Sequence, residues 1–397
     1  MKISHLFLSL LIVSLWIITA ISSCGTDTNQ EKKTIKKEDD ITKLAPLPLE
    51  VPTPTDNPTT PEKVTLGRLL FFDPILSGHK DVACATCHHP EFSFAESLEV
   101  SIGVNGRGMG SQRDFNMPND IPLVKRNSQT ILNAAFNGLT LEAKTTASDA
   151  PMFWDLRAKS LENQSLEPIK SFEEMRGHQY RPEHALDSVV NRLKQIPEYH
   201  LLFQRAFLSS NSITSQNMAR AIAAYERTVV GGNSRFDQYM RGDNGALSIN
   251  EIEGMQAFLK SGCAKCHLGP MLSDYKLHSL GVPDNERLLQ SDAGVDNQYK
   301  FRTPSLRNLR FTAPYMHSGK LKTLEHVLEF YEDLAGDKIR NPLVKKEQID
   351  PLISDLKVNF KDISIIVEFL NTLNDEKFDR SIPQRVPSGL KVGGNIH

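Results

Sequence analysis

Two short stretches decide the fold: Cys84-Ala85-Thr86-Cys87-His88 and its repeat, Cys263-Ala264-Lys265-Cys266-His267. Each has the Cys-x-x-Cys-His spacing of a c-type haem attachment site. Two thiols at this spacing lie on one side of a helical turn and can each add to one vinyl group of a haem. The following histidine, His88 or His267, can then ligate the iron. A split zinc site is the alternative, because Cys-x-x-Cys pairs also bind zinc. A histidine follows directly in both copies, so we favour two covalently attached haems.

The composition leaves room for two domains. The chain has 397 residues, of which 39% are hydrophobic, enough for well-packed cores. Its formal net charge is −2, which gives no basic surface of the kind that binds nucleic acid. We therefore expect no nucleic-acid partner.

The N-terminus predicts export and a lipid anchor. Residues 1–23 have a basic start and an apolar run too short to span a membrane comfortably, which indicates a signal peptide. Ile21-Ser22-Ser23-Cys24 resembles the lipobox of bacterial lipoproteins, in which the cysteine is lipidated. An ordinary signal peptide with an incidental cysteine is the alternative. Residues 24–60 are polar and proline-rich, so we predict a disordered tether that holds a periplasmic protein to its membrane.

The remaining patterns predict a mainly α fold with two cytochrome c-like haem domains, residues 61–240 and 241–397. Pro61 suits the first turn of a helix, and Ser248 with Glu251 forms a capping box before a second amphipathic helix. Strand-like alternation is scarce. The last predicted helix, near residues 362–373, is a candidate for packing back on the first domain.

Further stretches, in a common order around the two motifs, resemble the bacterial di-haem cytochrome c peroxidases from about residue 61 to 375. The resemblance implies that the N-terminal domain is the peroxidatic one and that the C-terminal domain supplies an electron. The matching stretches are Leu66–Pro74, Arg126-Asn127, Phe153-Trp154-Asp155, Glu174-Met175, Arg307-Asn308 and Thr312–His317.

The same resemblance implies three catalytic residues. Trp154 becomes the electron bridge between the haems, although an aromatic in a Phe-Trp pair is usually a core residue. Glu174 becomes the acid–base group that moves a proton during peroxide cleavage, and Gln164 orients the peroxide. Without the resemblance, the sequence favours a solvated charge at a helix end for Glu174.

A calcium site between the domains is also implied, through the side chain of Asn127 and the backbone carbonyls of Thr312 and Pro314. Oxygen ligands of this kind suit calcium. A turn residue and an ordinary loop are the alternative for these positions. His317 lies near the domain interface in the family, and a lone histidine is as often structural as functional.

Two departures from the family pattern point to MauG-like enzymes, which oxidise a side chain of a partner protein. Val104 follows Ser101-Ile102-Gly103, where many members have a histidine that blocks the peroxidatic iron. Tyr331 stands fourteen residues after His317, where the usual second ligand of the electron-supplying iron is a methionine. Tyr331 also fits the apolar stripe of a helix as a core aromatic. The methionines that could replace the blocking histidine are Met109, Met117 and Met152.

We therefore expect a lipid-anchored periplasmic peroxidase that reduces hydrogen peroxide to water. A small cytochrome c or a cupredoxin would supply the electrons. One alternative is MauG-like oxidation of a partner protein. The other is a non-catalytic di-haem electron carrier, which needs neither Glu174 nor Gln164.

Overall fold

The fold is described by a computed structural model, which covers residues 39–142 and 146–396. Helices dominate this part of the chain, and its strands are only two or three residues long. This confirms the mainly α prediction.

None of the described helices is long and apolar enough to cross a membrane. The α-helices are α1 (Pro61–Phe72), α2 (Cys84–Cys87), α3 (Ser160–Gln164), α4 (Glu167–Lys170), α5 (Ala185–Leu193), α6 (Pro197–Phe207), α7 (Ser215–Glu226), α8 (Arg235–Met240), α9 (Ile249–Lys260), α10 (Leu324–Ala335) and α11 (Ile363–Asn371). The antiparallel strand pairs are β1 (Gly106–Arg107) with β2 (Asp114–Phe115), β3 (Pro151–Met152) with β4 (Ala158–Lys159), and β5 (Leu277–Ser279) with β6 (Lys300–Arg302).

The first lobe is organised by the crossing of α1 and α7. Pro61 occupies the first turn of α1, where its missing N–H leaves no helical hydrogen bond unmade, and the Thr60 side chain caps the helix. The two helices approach closely because Gly67 has no side chain. A Cβ at Gly67 would lie 1.8 Å from the carbonyl oxygen of Ala221. The first hydrophobic cluster surrounds this crossing and includes Leu66, Leu70, Phe71, Phe72, Phe94, Val104, Tyr199, Phe203, Met218 and Ile222.

The second lobe contains a similar close helix crossing, between α9 and α11. The predicted capping box of Ser248 and Glu251 starts α9. A Cβ at Gly254 would lie 2.0 Å from the carbonyl oxygen of Ile365, so a glycine again permits a close helix crossing. In both lobes the helix that carries the glycine leads into a Cys-x-x-Cys-His motif. The second hydrophobic cluster includes Leu44, Phe236, Met255, Phe258, Leu272, Leu324, Leu328, Ile366 and Phe369.

The two clusters divide the chain earlier than the sequence predicted. Val229 belongs to the first cluster, whereas Phe236 is fully buried in the second. The boundary placed at residue 240 therefore falls inside the second lobe, because α8 packs there. The chain from Asp39 onward nevertheless forms one compact unit.

The prediction of a disordered tether over residues 24–60 is wrong at its C-terminal end. Leu44 and Leu47 are 3% and 1% exposed. Leu44 forms a β-bridge with Gly269, and the N–H of Leu47 donates to a carboxylate oxygen of Asp237 over 2.9 Å. Proline and charge content indicated disorder here, but two buried leucines three residues apart help to fix the chain on the second lobe. The signal peptide and Cys24 lie outside the described residues.

The segment after the last helix, and not that helix, returns to the first lobe. α11 belongs to the second hydrophobic cluster. Farther on, the N–H of Gly393 donates to the carbonyl of Phe72 over 2.8 Å, and the hydroxyl of Thr86 donates to the carbonyl of Gly393 over 2.8 Å. Because Thr86 lies within the first Cys-x-x-Cys-His motif, the C-terminal segment helps to fix that motif.

Candidate functional site

The first motif is a single helical turn with its histidine held from one side. The hydroxyl of Thr86 accepts a hydrogen bond from the N–H of Ala83 over 2.9 Å, which starts the turn. Nδ1 of His88 lies 3.2 Å from the carbonyl oxygen of Phe94. Burial lowers the pKa of His88 to about 4, so the imidazole is neutral at pH 7. A neutral imidazole with Nδ1 hydrogen-bonded to a carbonyl leaves Nε2 as a metal ligand.

The second motif has the same arrangement on a 3₁₀ turn, Cys263–Lys265. Gly262 precedes this turn with a φ of +84°, a left-handed conformation that glycine adopts without strain. Nδ1 of His267 lies 2.9 Å from the carbonyl oxygen of Leu272. Burial lowers the pKa of His267 as well. Both histidines are therefore oriented and neutral in the way that an iron ligand requires.

The zinc alternative does not fit this geometry. A structural zinc ion needs four ligands that converge on one point, usually as thiolates and imidazoles. In the described part of the chain, the only compact group of three potential ligands is Cys266, Asp274 and His278. The two cysteine pairs do not come together.

One cavity of about 740 Å³ has both motifs on its walls. The four motif cysteines and both motif histidines line it. Two thiols followed by a neutral, oriented histidine form the donor set of a covalent haem, and the cavity holds this set twice. The residues present therefore fit two c-type haems. The other sequence-predicted residues that line the same cavity are Asn127, Trp154, Gln164, Glu174, Thr312, Pro314, His317 and Tyr331.

Glu174 is carried by one turn of π-helix, Phe172–Arg176. The turn packs directly on Gly103, where a Cβ would lie 2.3 Å from the carbonyl oxygen of Glu174. That carbonyl accepts a 3.0 Å hydrogen bond from the N–H of Val104. Burial raises the pKa of the Glu174 carboxyl to about 7, so it can both accept and release a proton near neutral pH. Gln164, at the end of α3, lines the same cavity.

Val104 faces away from this cavity. Its side chain is fully buried in the first hydrophobic cluster and does not line the cavity wall. Of the methionines that could replace a blocking histidine, Met117 is 82% exposed and only Met152 reaches the cavity wall. The amide of Asn137 lies 3.4 Å from the sulfur of Met152.

Trp154 lies where the two lobes meet. Its indole Nε1–H donates a 3.0 Å hydrogen bond to the carbonyl oxygen of Asn127 in the first lobe. Its own carbonyl accepts a 2.7 Å hydrogen bond from the N–H of Arg302 in β6 of the second lobe. Its ring meets that of His317 edge to face, with centroids 6.4 Å apart. Trp154 is buried and belongs to neither the first nor the second hydrophobic cluster.

The predicted calcium ligands lie on the wall of the cavity at this lobe junction. The side-chain amide nitrogen of Asn127 donates to the carbonyl of Leu98 over 2.9 Å. Its backbone N–H donates to the carbonyl of His317 over 2.8 Å. Because the side-chain nitrogen is engaged in this way, the side-chain oxygen is the atom left for a cation. Thr312 and Pro314 follow the 3₁₀ turn Leu309–Phe311.

Tyr331 projects from α10 toward the second motif. Its ring packs on a third hydrophobic cluster, next to Phe330 at a centroid distance of 5.4 Å. This cluster consists of Val282, Leu321, Phe330, Leu334 and Ile353. Its hydroxyl has no hydrogen-bond partner among the described residues. Burial, together with the nearby thiols of Cys266 and Cys263, raises the pKa of the phenol. Packing and ligation are therefore compatible, since the ring can be part of a core while the oxygen faces the cavity.

Three buried ionisable groups on the cavity wall were not found by sequence reasoning. Burial raises the pKa of Glu226, at the end of α7, to about 8. His278 bonds Asp274 over 2.9 Å and Asp350 over 2.7 Å. Although burial opposes its charge, the hydrogen bonds raise the pKa of His278 to about 11. Arg302, which holds Trp154, is buried as well. None of these three residues lies in a recognisable sequence motif. The only local signal is that Asp274 and His278 are four residues apart.

Known proteins resemble this chain over most of its length. A family model described as di-haem cytochrome c peroxidase matches residues 61–245. The methylamine utilization protein MauG of Methylorubrum extorquens is 34% identical over 85% of both chains. The cytochrome c551 peroxidase of Pseudomonas aeruginosa is 34% identical over 75% of this chain and 81% of its own.

Solved structures show the same likeness. A MauG-like protein associated with microbial copper homeostasis superimposes with a TM-score of 0.66 at 27% identity, over 83% of this chain and 95% of that one. The diheme peroxidase BthA from Burkholderia thailandensis has a TM-score of 0.60 at 20% identity, over 85% of this chain and 91% of its own, and shares the fold.

Proposed function

Because the chain belongs to the di-haem cytochrome c peroxidase family, we propose that it reduces hydrogen peroxide to water with electrons from a small periplasmic redox protein. One observation carries the proposal. A single cavity has two haem-binding motifs, the carboxyl of Glu174 and the indole of Trp154 on its walls. A plain electron carrier has no need of a proton-transfer group in such a place.

The haem groups would be held by this chain's own residues. Cys84, Cys87 and His88 hold the first, and Cys263, Cys266 and His267 hold the second. When bound, the haems supply an iron that takes up peroxide and a second iron that stores an electron.

Glu174 and Gln164 act on the peroxide. The Glu174 carboxylate accepts the proton of the near oxygen and returns it to the leaving oxygen, which departs as water. A carboxyl whose pKa is about 7 suits both halves of this transfer. The amide of Gln164 positions the peroxide by hydrogen bonding. This assignment rests on their common place in the cavity wall and on the resemblance of their sequence positions to the family.

Trp154 carries an electron between the two haem sites. Its backbone and indole are held by Arg302 and Asn127 from opposite lobes. Asn127, with Thr312 and Pro314, would hold a calcium ion at the same junction. Tyr331 would be the second ligand of the C-terminal iron, because its unpartnered hydroxyl lies on the cavity wall near Cys263 and Cys266.

A second candidate function is MauG-like oxidation of a side chain in a partner protein. Val104 in place of a blocking histidine and Tyr331 in place of a methionine favour it. MauG is as similar to this chain, at 34% identity, as the cytochrome c551 peroxidase is. A partner protein that is covalently altered only when peroxide and this protein are both present would establish it.

We place the protein on the periplasmic side of a membrane, anchored through a lipid on Cys24. The lipobox-like Ile21–Cys24 supports this placement. Changing Cys24 to Ser is then expected to release the protein from membranes without altering its haem spectrum.

The experiment that tests the peroxidase begins with the mass of the purified protein, which must show two added haems. Peroxide consumption with a reduced small cytochrome is then measured for the wild type, for Glu174→Gln and for Glu173→Gln. The neighbouring substitution removes the same charge and serves as the matched control. Rapid consumption that only Glu174→Gln abolishes supports the proposal. A protein that consumes no peroxide and binds no cyanide is an electron carrier.

A further inference from the structure

Lysines surround the outer face of the second Cys-x-x-Cys-His turn. A surface depression of about 410 Å³ is lined by Lys43, Lys260, Lys265 and Lys357, together with Leu259 and Asp355. We call the four lysines the lysine collar. Even without Lys43, the other three lysines and Asp355 give this small area a formal charge of +2, whereas the whole chain carries −2. The collar is thus a local reversal of the charge of the protein.

The fold gathers the collar from distant parts of the chain. Lys260 ends α9, and Lys265 lies inside the second motif. The N–H of Lys357 donates to the carbonyl of Ser261 over 3.1 Å, which fixes the strand of chain after residue 355 beside the motif. Lys260, Lys265 and Lys357 are all exposed.

The charge of the collar is only partly neutralised. Lys265 forms a salt bridge with Asp355. Lys260 and Lys357 form no salt bridge within the described part of the chain. Because neither lysine is held in a salt bridge, both can attract an anionic surface, most strongly at low ionic strength.

The collar adjoins the wall of the large cavity. Gly262 and Lys265 line both the depression and the cavity, and Cys263 and Cys266 line the cavity on the inner side. One turn of backbone therefore separates a molecule seated on the collar from the second haem site. Leu259 supplies an apolar spot amid the lysines. Charged groups around a small apolar spot suit a weak, quickly exchanging contact between electron-transfer proteins.

Resting on the proposed function, in which a protein donor returns electrons, we propose that the lysine collar docks a small electron-transfer protein with an acidic face. Each docked donor gives one electron from its metal centre to the second haem site and leaves oxidised. Two donors and two protons convert one hydrogen peroxide to two waters. A collar that merely held an anionic membrane would have no reason to adjoin the cavity.

The test uses the haem-loaded protein and two reduced donors of opposite charge, an acidic plastocyanin-type cupredoxin and a basic mitochondrial-type cytochrome c. Stopped-flow mixing after peroxide gives the bimolecular rate constant for each donor at several ionic strengths. The double variant Lys260→Glu/Lys357→Glu reverses the collar. Lys194→Glu/Lys391→Glu makes the same change of net charge at exposed positions outside the collar and is the matched control.

The acidic donor is expected to react faster at low salt and to slow as salt rises. Collar reversal is expected to lower its rate constant at least about tenfold, since steering of this kind contributes roughly 10- to 1,000-fold, while the control pair stays near the wild type. Equal effects of the two pairs, or a faster reaction with the basic donor, would overturn the proposal. So would a collar variant that loses only its binding to phosphatidylglycerol vesicles.

Two further measurements separate this proposal from the proposed function. The reaction with peroxide is followed without donor, and donor binding is followed without peroxide by line broadening in the donor's NMR spectrum. If the protein reacts with peroxide but collar reversal changes neither donor binding nor the rate constant, the docking role of the collar is rejected and the peroxidase proposal stands. If the acidic donor binds in a collar-dependent way but the protein does not react with peroxide, the peroxidase proposal is rejected and the docking role of the collar stands.

Discussion

The indole nitrogen of Trp154 donates a 3.0 Å hydrogen bond to the carbonyl oxygen of Asn127. The same Asn127 donates its N–H to the carbonyl of His317, in the second lobe, over 2.8 Å. Arg302, also in the second lobe, binds the carbonyl of Trp154. Trp154 and the junction of the lobes are thus held by one set of hydrogen bonds.

Changing Trp154 to Phe is expected to separate the two haem sites electronically. The first site should still react with peroxide, while the absorbance change of the second is strongly delayed. Loss of the indole N–H also leaves the Asn127 carbonyl unpaired, which costs roughly 1–3 kcal/mol of unfolding free energy. Single-turnover stopped-flow spectra measure both sites. Phe301→Leu, which removes the ring stacked on His317 but keeps the indole, is the control. Unaltered timing in Trp154→Phe would show that electrons take another route.

The peroxide reaction should follow the ionisation of Glu174. Burial raises the pKa of this carboxyl to about 7, so the carboxylate that accepts the proton predominates only above that pH. The rate constant is expected to rise about tenfold per pH unit below pH 7 and to level off above it. Glu174→Gln should lower the plateau by roughly 10²- to 10⁴-fold and abolish this pH dependence. If the pH profile of Glu174→Gln keeps the inflection of the wild type, that inflection belongs to a different ionisable group.

Arg307 is expected to be essential for stability. Its guanidinium binds the buried carboxylate of Asp237 through two bonds of 2.9 and 3.0 Å, and Asp237 also holds Leu47. Arg307→Met leaves that carboxylate buried without its partner, which typically costs about 3–5 kcal/mol. Denaturant unfolding followed by circular dichroism measures the loss. Arg385→Met removes the exposed pair with Glu198 and should cost less than about 1 kcal/mol. Similar losses in the two variants would refute this assignment.

Tyr331→Phe distinguishes ligation from packing at the second haem site. Burial keeps the tyrosine protonated, and only a cation as close as a ferric iron would favour the phenolate. The phenylalanine variant keeps the ring in its cluster and loses only the oxygen. We expect it to change the spectrum of that haem, and Tyr331→Met to raise its reduction potential, because a phenolate favours ferric iron. A spectrum and a potential that neither variant alters would leave Tyr331 as a packing residue.

The sequence predicted the parts of the site that local chemistry specifies. The Cys-x-x-Cys-His spacing fixes which atoms can hold haem, and the capping residues of α9 fix where that helix begins. The resemblance to the family supplied Trp154 and Glu174, and the structure places both on the cavity wall. Their roles remain proposals, because a position on the wall does not by itself specify a reaction.

What the sequence did not predict depends on contacts between distant residues. His278 owes its charge partly to Asp350, which is 72 residues away. The close crossing of Gly67 on Ala221 joins two helices that are far apart in the chain. Leu47 lies in a proline-rich stretch that suggested disorder, and its burial and its bond to Asp237, 190 residues away, show that it is fixed. Composition and periodicity contain no information about such partners.

We expect the first haem site to be open to peroxide without prior reduction, because Val104, which stands where many family members have a blocking histidine, has no atom that can ligate iron. The most direct measurement mixes the fully oxidised, haem-loaded protein with one equivalent of hydrogen peroxide and follows the haem spectrum by stopped flow. We predict a fast spectral change with no reductant present. No change until ascorbate or a reduced cytochrome is added would contradict the claim and would mean that another residue fills that position.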